Sequence, residues 1–237
     1  SSHGNFKVKE KIAKRIPLSL VGGDEGSLVF AAGDKRVEVE FAARFGGIVM
    51  DFSASGDFIT ELAFLAEPDE GIFGGGEQYR KLDMKGEKIV NFVSEHIVVP
   101  PIVQKTVLGF LPYKEKPHSY IETYSPMSTY TSSARYALRF DVSSYGIADF
   151  TRGDVSVFRF EKCPRSVFYT SGESFKDVAK ALNAHTPCRA YLPDWAHDGM
   201  IVAVQGGMDR VLEKALEMQK KGVKLAGVWS QDWSGRK

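Results

Sequence analysis

The chain has 237 residues and a formal net charge of +1, and it is 43% hydrophobic and 26% charged, as is usual for a globular protein. That much apolar material can form a core, which excludes disorder along the whole chain. With 31 basic and 30 acidic residues, the chain carries no overall field for a polyanion. We therefore expect neither nucleic acid nor a membrane surface as a partner.

The two cysteines, Cys163 and Cys188, and the scattered histidines show no metal-ligand spacing, so we expect free thiols and no metal site. No apolar run approaches the roughly 18–20 residues that cross a bilayer. Residues 1–4 resemble a tag remnant, and no apolar signal-peptide core follows them. We therefore expect a cytoplasmic location, and the sequence leaves open whether the chain forms a homo-oligomer.

Up to Thr170 the sequence predicts many short strands separated by turns that contain Gly, Asp and Ser. In Arg36–Phe41, for example, the apolar residues fall at every second position, which is typical of a half-buried strand. This pattern predicts an antiparallel β-sandwich. The clearest predicted strands are Ser27–Ala31, Arg36–Phe41, Gly47–Phe52, Lys88–Val93, Ser119–Thr123, Ala137–Phe140 and Val155–Phe160.

After Thr170 the pattern becomes helical. We expect a helix that Ser174 caps together with Asp177 and that ends near Asn183. Its predicted apolar face recurs at helical spacing and consists of Phe175, Val178, Ala179 and Leu182.

From Met200 the sequence predicts a β-α-β unit. A buried strand, Met200–Val204, leads into an amphipathic helix, Met208–Lys221, which Gly222 ends, and a second buried strand follows at Val223–Trp229. Two parallel strands and one helix leave the edges and a face of the sheet open. This unit therefore needs either the sandwich or further chain to cover it.

Polar side chains follow the two strands of this unit. Gln205 comes after the first strand and Gln231 after the second, and ligands of parallel α/β folds lie at such carboxyl ends. Trp229, Asp232 and Trp233 flank the second glutamine, and indole rings suit the face of a sugar. The alternatives are strand-end glutamines bonded to loops and tryptophans that belong to a core.

A second cluster, Gly74-Gly75-Gly76-Glu77-Gln78, lies within the predicted sandwich. The glycines permit positive φ, so a tight backbone could project Glu77 and Gln78 outward. The lysine and hydroxyl residue that end a phosphate-binding loop are absent. A plain hairpin turn is the alternative.

Taken together, the predicted sandwich, Leu192-Pro193-Asp194-Trp195, the stretch Gly199–Gly207 and Gly227–Gly235 resemble glycoside hydrolase family 31, and within it the sulfoquinovosidases. The resemblance implies a galactose-mutarotase-like sandwich over residues 5–188 and the start of a (β/α)8 barrel over 189–237. It implies a retaining α-glycosidase that releases sulfoquinovose from α-glycosides such as sulfoquinovosyl glycerol, with no cofactor. The chain would be the N-terminal part of that enzyme.

By this resemblance, Gln205 and Gln231 hold the hydroxyls of the anionic sugar, and Trp229 and Trp233 shape the pocket. Asp232 is a substrate-binding residue of the rim, which Glu77 and Gln78 close. In related α-glucosidases an aspartate resembles Gln231 in position. A neutral amide there avoids repulsion of the sulfonate and still exchanges hydrogen bonds with the sugar.

The resemblance also implies that no catalytic carboxylate lies in this chain, because the two that a retaining glycosidase needs belong to later barrel strands. A full barrel takes about 250 residues, so the remainder of the barrel is an expected partner and the chain alone is expected to be inactive. An α-glucosidase or α-xylosidase of the same family and a non-catalytic carbohydrate-binding sandwich stay open as alternatives.

Overall fold

A computed structural model describes residues 14–78, 81–93, 121–186 and 191–230. The chain divides into two compact units, Ser1–Thr186 and Pro187–Lys237, and each is described by itself.

The first unit consists mainly of β-strands. Turns with positive φ, such as Phe45 and Gly46 at +57° and +77°, reverse the chain between successive strands. The strands are β1 (Ser19–Gly23), β2 (Ser27–Ala32), β3 (Lys35–Arg44), β4 (Gly47–Ala54), β5 (Thr60–Leu65), β6 (Ile72–Glu77), β7 (Lys88–Val93), β8 (Ile121–Thr123), β9 (Ser125–Ser132), β10 (Tyr136–Asp141), β11 (Gly146–Asp149), β12 (Val155–Phe160) and β13 (Ser166–Ser171).

These strands form two sheets. The larger has eight strands in the order β1-β2-β3-β4-β13-β10-β9-β6, and the smaller has five in the order β5-β12-β11-β7-β8. Neighbouring strands are antiparallel except β7 and β8, which pair in parallel. The predicted fold class, a mostly antiparallel β-sandwich, is confirmed.

The core combines aromatic side chains from both sheets. Phe140 of β10 and Phe158 of β12 lie 4.5 Å apart between ring centroids, and both are buried. Tyr130 of β9 adds contacts with Phe150 and Phe158 at 5.4 and 5.2 Å. Each such pair contributes about 0.5–1.5 kcal/mol beyond the burial of its area. These aromatic contacts between strands of the two sheets therefore stabilise the packing of one sheet on the other.

The predicted strands are confirmed within a few residues at each end. β3 runs on to Arg44, beyond the predicted end at Phe41. Residues 119 and 120 lie outside the described residues, so only the end of Ser119–Thr123 is seen, as β8. Strand β11 begins at Gly146, which pairs with Phe160.

Helix α1 (Phe175–His185) begins as predicted and runs two residues past Asn183. Ser174 Oγ accepts a hydrogen bond from the Asp177 amide, and the Asp177 carboxylate accepts one from the Ser174 amide, which completes a capping box. The predicted apolar face is wrong in part, because Phe175 is 54% exposed and Val178 and Ala181 are the buried residues. The buried stripe therefore starts one turn later, where the helix packs on Val49 and Phe168 of the large sheet.

His185 ends this helix between two aromatic rings. Its imidazole stacks on Phe168 with centroids 4.2 Å apart and meets Phe45 edge-on at 5.4 Å. Its Nδ1 is buried and has no hydrogen-bond partner in the part of the chain that the structure describes. Burial, assisted by the positive charge of Arg139 and opposed by Asp141, holds the pKa of His185 below its usual value.

This lowered pKa predicts a pH-dependent stability. An imidazole that binds its proton more weakly in the folded chain stabilises the fold fully above its unfolded pKa of about 6.5. That stability is lost as the pH falls from there through the lower folded pKa. We expect urea midpoints at pH 7.5 and pH 5 to differ less in His185→Gln than in the unaltered chain. Equal differences in the two proteins would contradict the assignment.

The second unit contains a 3₁₀ turn (Asp194–His197) followed by β14 (Met200–Val204), helix α2 (Met208–Lys220) and β15 (Leu225–Ser230). β14 and β15 pair in parallel, with Val202 opposite Val228, so the predicted β-α-β unit is present.

The end of α2 explains why β15 begins later than the predicted Val223. Gly222, at φ +78°, donates its amide to Gln219 O, and the Val223 amide bonds Met218 O. These two bonds form a Schellman motif, so the Val223 amide bonds the end of the helix and is not available for strand pairing. The strand pairing therefore starts at Leu225.

Burial of the two strands differs from the prediction. Both were expected to be covered on both faces, but Met200 and Ile201 of β14 are 61% and 59% exposed and Trp229 of β15 is 65% exposed. On α2, Leu212 and Leu216 are also exposed. One helix covers only one face of a two-stranded sheet. Much of the surface of these apolar residues, which were predicted to be buried, therefore stays exposed to solvent.

No helix in the part of the chain that the structure describes is both long and apolar enough to cross a membrane.

Candidate functional site

The second unit brings two of the predicted residues to the carboxyl end of its strands. Val204 pairs with Ser230, so Gln205 leaves the sheet at the same edge as the chain that follows β15. Gln205 is exposed, and Trp229 is exposed next to Ser230. Gln231, Asp232 and Trp233 lie outside the described residues, so their places at this edge stay predictions.

The glycine cluster of the first unit is part of a strand rather than a loop or a hairpin turn. Gly74, Gly75 and Gly76 lie inside β6, at one edge of the large sheet, with φ of +109°, +80° and +105°. The register with β9 shifts between Gly74 and Gly76, so the strand carries a β-bulge. Both expectations for this segment, a projecting loop and a hairpin, are therefore corrected.

Close contact with β9 explains why glycines occupy this bulge. A Cβ at Gly74 would lie 2.4 Å from Thr129 O, and one at Gly76 would lie 2.1 Å from Ser125 O. Any side chain at these positions would push the strands apart. Only the pairing with β9 distinguishes this bulged strand from a turn, and β9 lies far along the chain, so no local pattern reveals it.

The bulge leads directly to the two predicted rim residues. Glu77 is the last residue of β6, its carbonyl accepts the Tyr124 amide at 2.9 Å, and the residue is exposed. Gln78 follows and is partly buried, and its Nε2 atom lies inside without a hydrogen-bond partner among the described residues. In the structure Glu77 is therefore exposed, whereas the end of the Gln78 side chain turns inward.

A buried carboxylate that sequence reasoning did not find anchors the start of β6. Glu70 is 4% exposed, and it accepts hydrogen bonds from Ser132 Oγ and, at 3.0 Å, from Tyr136 Oη. Burial raises the pKa of the Tyr136 phenol, and the Glu70 carboxylate adds to the shift. Ser132 and Tyr136 are more than 60 residues from Glu70 along the chain, so no local pattern predicts the pairing.

Lys85 completes the anchor. Its Nζ lies 3.7 Å from Glu70 Oε1 and donates to the carbonyls of Glu67 and Gly153 at 2.8 and 3.0 Å. Asp83 Oδ1 accepts the backbone amides of Ile72 and Lys85, both at 2.9 Å. These bonds hold the described residues before and after the Gly-Gly-Gly-Glu-Gln segment, and thereby set the position of its exposed end.

Within the described ranges no group of three or more His, Cys, Asp and Glu residues could hold a metal ion. Cys163 is a free, half-buried thiol whose pKa is raised by burial. Cys188 lies outside the described residues.

The known proteins that are similar to this chain include sulfoquinovosidases. No family model matches the chain. The chain is 30% identical to the sulfoquinovosidase of Agrobacterium fabrum and 27% identical to that of Escherichia coli, in each case over 98% of the chain and 35% of the relative. It therefore spans about a third of the length of the curated relatives that it matches.

Solved structures give the same fold. A GH31 family sulfoquinovosidase from E. rectale, in complex with an aza-sugar inhibitor, superposes on 99% of the chain and 36% of its own length with a TM-score of 0.72 and 21% identity. A GH31 dextranase from Flavobacterium johnsoniae covers 86% of the chain and 25% of its own length with a TM-score of 0.51 and 17% identity. The chain is therefore sulfoquinovosidase-like and has a fold that is seen in solved GH31 enzymes.

Proposed function

We propose that the chain is the N-terminal part of a retaining α-glycosidase that hydrolyses α-sulfoquinovosides, such as sulfoquinovosyl glycerol, to sulfoquinovose. The observation that carries the proposal is the similarity to two sulfoquinovosidases along 98% of the chain. The exposed Gln205 at the carboxyl edge of a parallel strand pair supports it, because this edge binds ligands in barrels of parallel strands.

In this proposal the two glutamines hold the sugar. Gln205 and Gln231 each offer a donor and an acceptor to neighbouring hydroxyls, and neither repels a sulfonate. Trp229 and Trp233 would present flat apolar faces to the ring, and Asp232 would be a further substrate-binding residue. Glu77 and Gln78 of the first unit remain proposed substrate-binding residues.

The β-α-β unit would open a (β/α)8 barrel, and the remainder of that barrel would cover it. The exposed apolar residues Ile201, Leu212 and Trp229 support this reading, since such side chains are normally buried against further strands and helices. We keep residues 5–188 and 189–237 as the proposed domains. A cytoplasmic location is likewise a proposal.

Catalysis would need carboxylates from the rest of the barrel. A retaining mechanism takes two carboxyl groups about 5–5.5 Å apart, one as the nucleophile and one as the acid and base. We assign neither role to a residue of this chain, and we expect the 237 residues alone to hydrolyse no glycoside. Hydrolysis by the purified chain would contradict that assignment.

The substrate class is tested with two chromogenic glycosides that differ only at C6, an α-sulfoquinovoside and an α-glucoside. We expect the intact protein that contains this chain to have a kcat/KM for the sulfoquinovoside at least about a hundredfold higher than for the glucoside. A pocket built for a sulfonate leaves its own polar groups unpaired when the substrate lacks the sulfonate. Faster cleavage of the glucoside would favour an α-glucosidase. Sugar binding without cleavage of either substrate would favour a carbohydrate-binding protein.

A further inference from the structure

A small cavity lies in the interior of the first unit, between its two sheets. Its wall combines Ser132 of β9 and Tyr136 of β10, from the larger sheet, with Ser156 of β12, from the smaller one. Apolar side chains such as Leu138 and Phe158 complete the wall. The centre of a water-sized sphere can move within about 10 Å³ of this cavity, which is about the least space that holds one water molecule.

Ser156 brings a hydroxyl into this apolar interior. The residue is 2% exposed, and in the part of the chain that the structure describes its side chain has no hydrogen-bond partner. Ser156 alternates with the buried Phe158 and Phe160 along β12, so it lies on the side of the strand that faces the core. A buried hydroxyl without a partner loses its bonds to water and gains none in return.

The hydroxyls of Ser132 and Tyr136 already donate their protons elsewhere. Both bond the Glu70 carboxylate, Tyr136 Oη at 3.0 Å. A hydroxyl oxygen has two lone pairs, and the Ala134 amide, at 3.0 Å, uses one of those on Ser132. Ser132 and Tyr136 can therefore only accept a further hydrogen bond, whereas Ser156 can still donate one.

We propose that this cavity binds one internal water molecule, which joins the two sheets by hydrogen bonds. The water accepts a bond from Ser156 Oγ and donates its two protons to Ser132 Oγ and Tyr136 Oη. Three bonds are the usual number for a buried water. The chemistry selects water, because the ligand must accept once and donate twice and the space excludes a larger molecule. The site lies wholly within the first unit and is independent of the substrate that the protein cleaves.

The first test is a crystal structure of the intact protein at a resolution that shows ordered water. We expect one water molecule about 3 Å from the hydroxyl oxygens of Ser156, Ser132 and Tyr136. An empty cavity, or a water molecule that bonds one sheet alone, would overturn the inference.

Ser156→Ala is the second test, because alanine removes the hydroxyl and keeps the Cβ. Loss of the bond to the water should lower the unfolding temperature of the intact protein by on the order of 2 °C. In a dry cavity the variant would instead gain stability, since it would lack an unpaired buried hydroxyl.

Ser128→Ala is the matched control, since Ser128 Oγ donates directly to the Phe140 carbonyl at 2.8 Å. It should lower the unfolding temperature by a similar amount, which calibrates the loss of one hydrogen bond in this unit. If Ser156→Ala is as stable as the unaltered protein or more stable, the inference fails even where a water molecule is seen.

Discussion

Replacing Lys85 with methionine is expected to lower the free energy of unfolding by about 3 kcal/mol, the low end of what removing one partner of a buried ion pair costs. The side chain of Glu70 is 1% exposed, so its charge remains in the interior when the ammonium is removed. The Glu67 and Gly153 carbonyls lose their donor in the same substitution. The bonds from Ser132 and Tyr136 still compensate part of the charge, which is why the lower figure is expected.

The measurement is urea unfolding followed by circular dichroism, and Lys81→Met is its control. Lys81 forms an ion pair with Glu87 at 2.7 Å, but the two side chains are 50% and 33% exposed. Such a pair contributes about 0–1 kcal/mol. Equal losses in the two variants would show that the Glu70 anchor stabilises the fold no more than a surface pair does.

Replacing Gln231 with glutamate in the intact protein is expected to lower kcat/KM for the α-sulfoquinovoside by about 10²–10³. Two like charges about 4 Å apart repel by about 4 kcal/mol at an effective dielectric constant of about 20, and each 1.4 kcal/mol is tenfold. The α-glucoside carries no sulfonate, so its kcat/KM should fall by less than about tenfold. The ratio of kcat/KM for the α-sulfoquinovoside to that for the α-glucoside therefore reports the repulsion between the two charges.

Gln231→Leu separates charge from hydrogen bonding. It removes the amide without adding a carboxylate, so both substrates should lose the same bond and fall by similar factors. A glutamate variant that discriminates no better than the leucine variant would remove the physical reason for a neutral residue at this position. The sulfonate assignment would then rest on the similarity to relatives alone.

The sandwich was predictable because its signals are local. The alternation of Arg36–Phe41 and the glycine-rich turns reflect the period of a strand and the backbone geometry of its ends, and both appear in β3 and its neighbours. The Ser174 cap and the Gly222 ending of α2 are local for the same reason. Hydrogen bonds between residues a few positions apart require particular residue types at nearby positions, and those can be recognised in the sequence.

Sequence reasoning was wrong where distant residues decide the outcome. The cluster Gly74-Gly75-Gly76 suits a loop, a turn or a bulged edge strand equally well, and only the pairing with β9 selects the strand. The apolar face of α1 starts at Val178 rather than Phe175, because the position of the helix on the sheet decides which stripe is buried.

The sequence by itself determined the strand-rich first unit, the β-α-β unit and the segments that resemble sulfoquinovosidases. Each of these features depends on residue type and short spacing. Only the tertiary structure decided that Glu70, Lys85, Ser132 and Tyr136 form one buried anchor and that Gln78 turns its amide inward beside Gly75. The reason is physical, because a buried polar group is satisfied or left unpaired according to which strands become neighbours. That arrangement depends on packing across the whole unit and leaves no periodic trace in the chain.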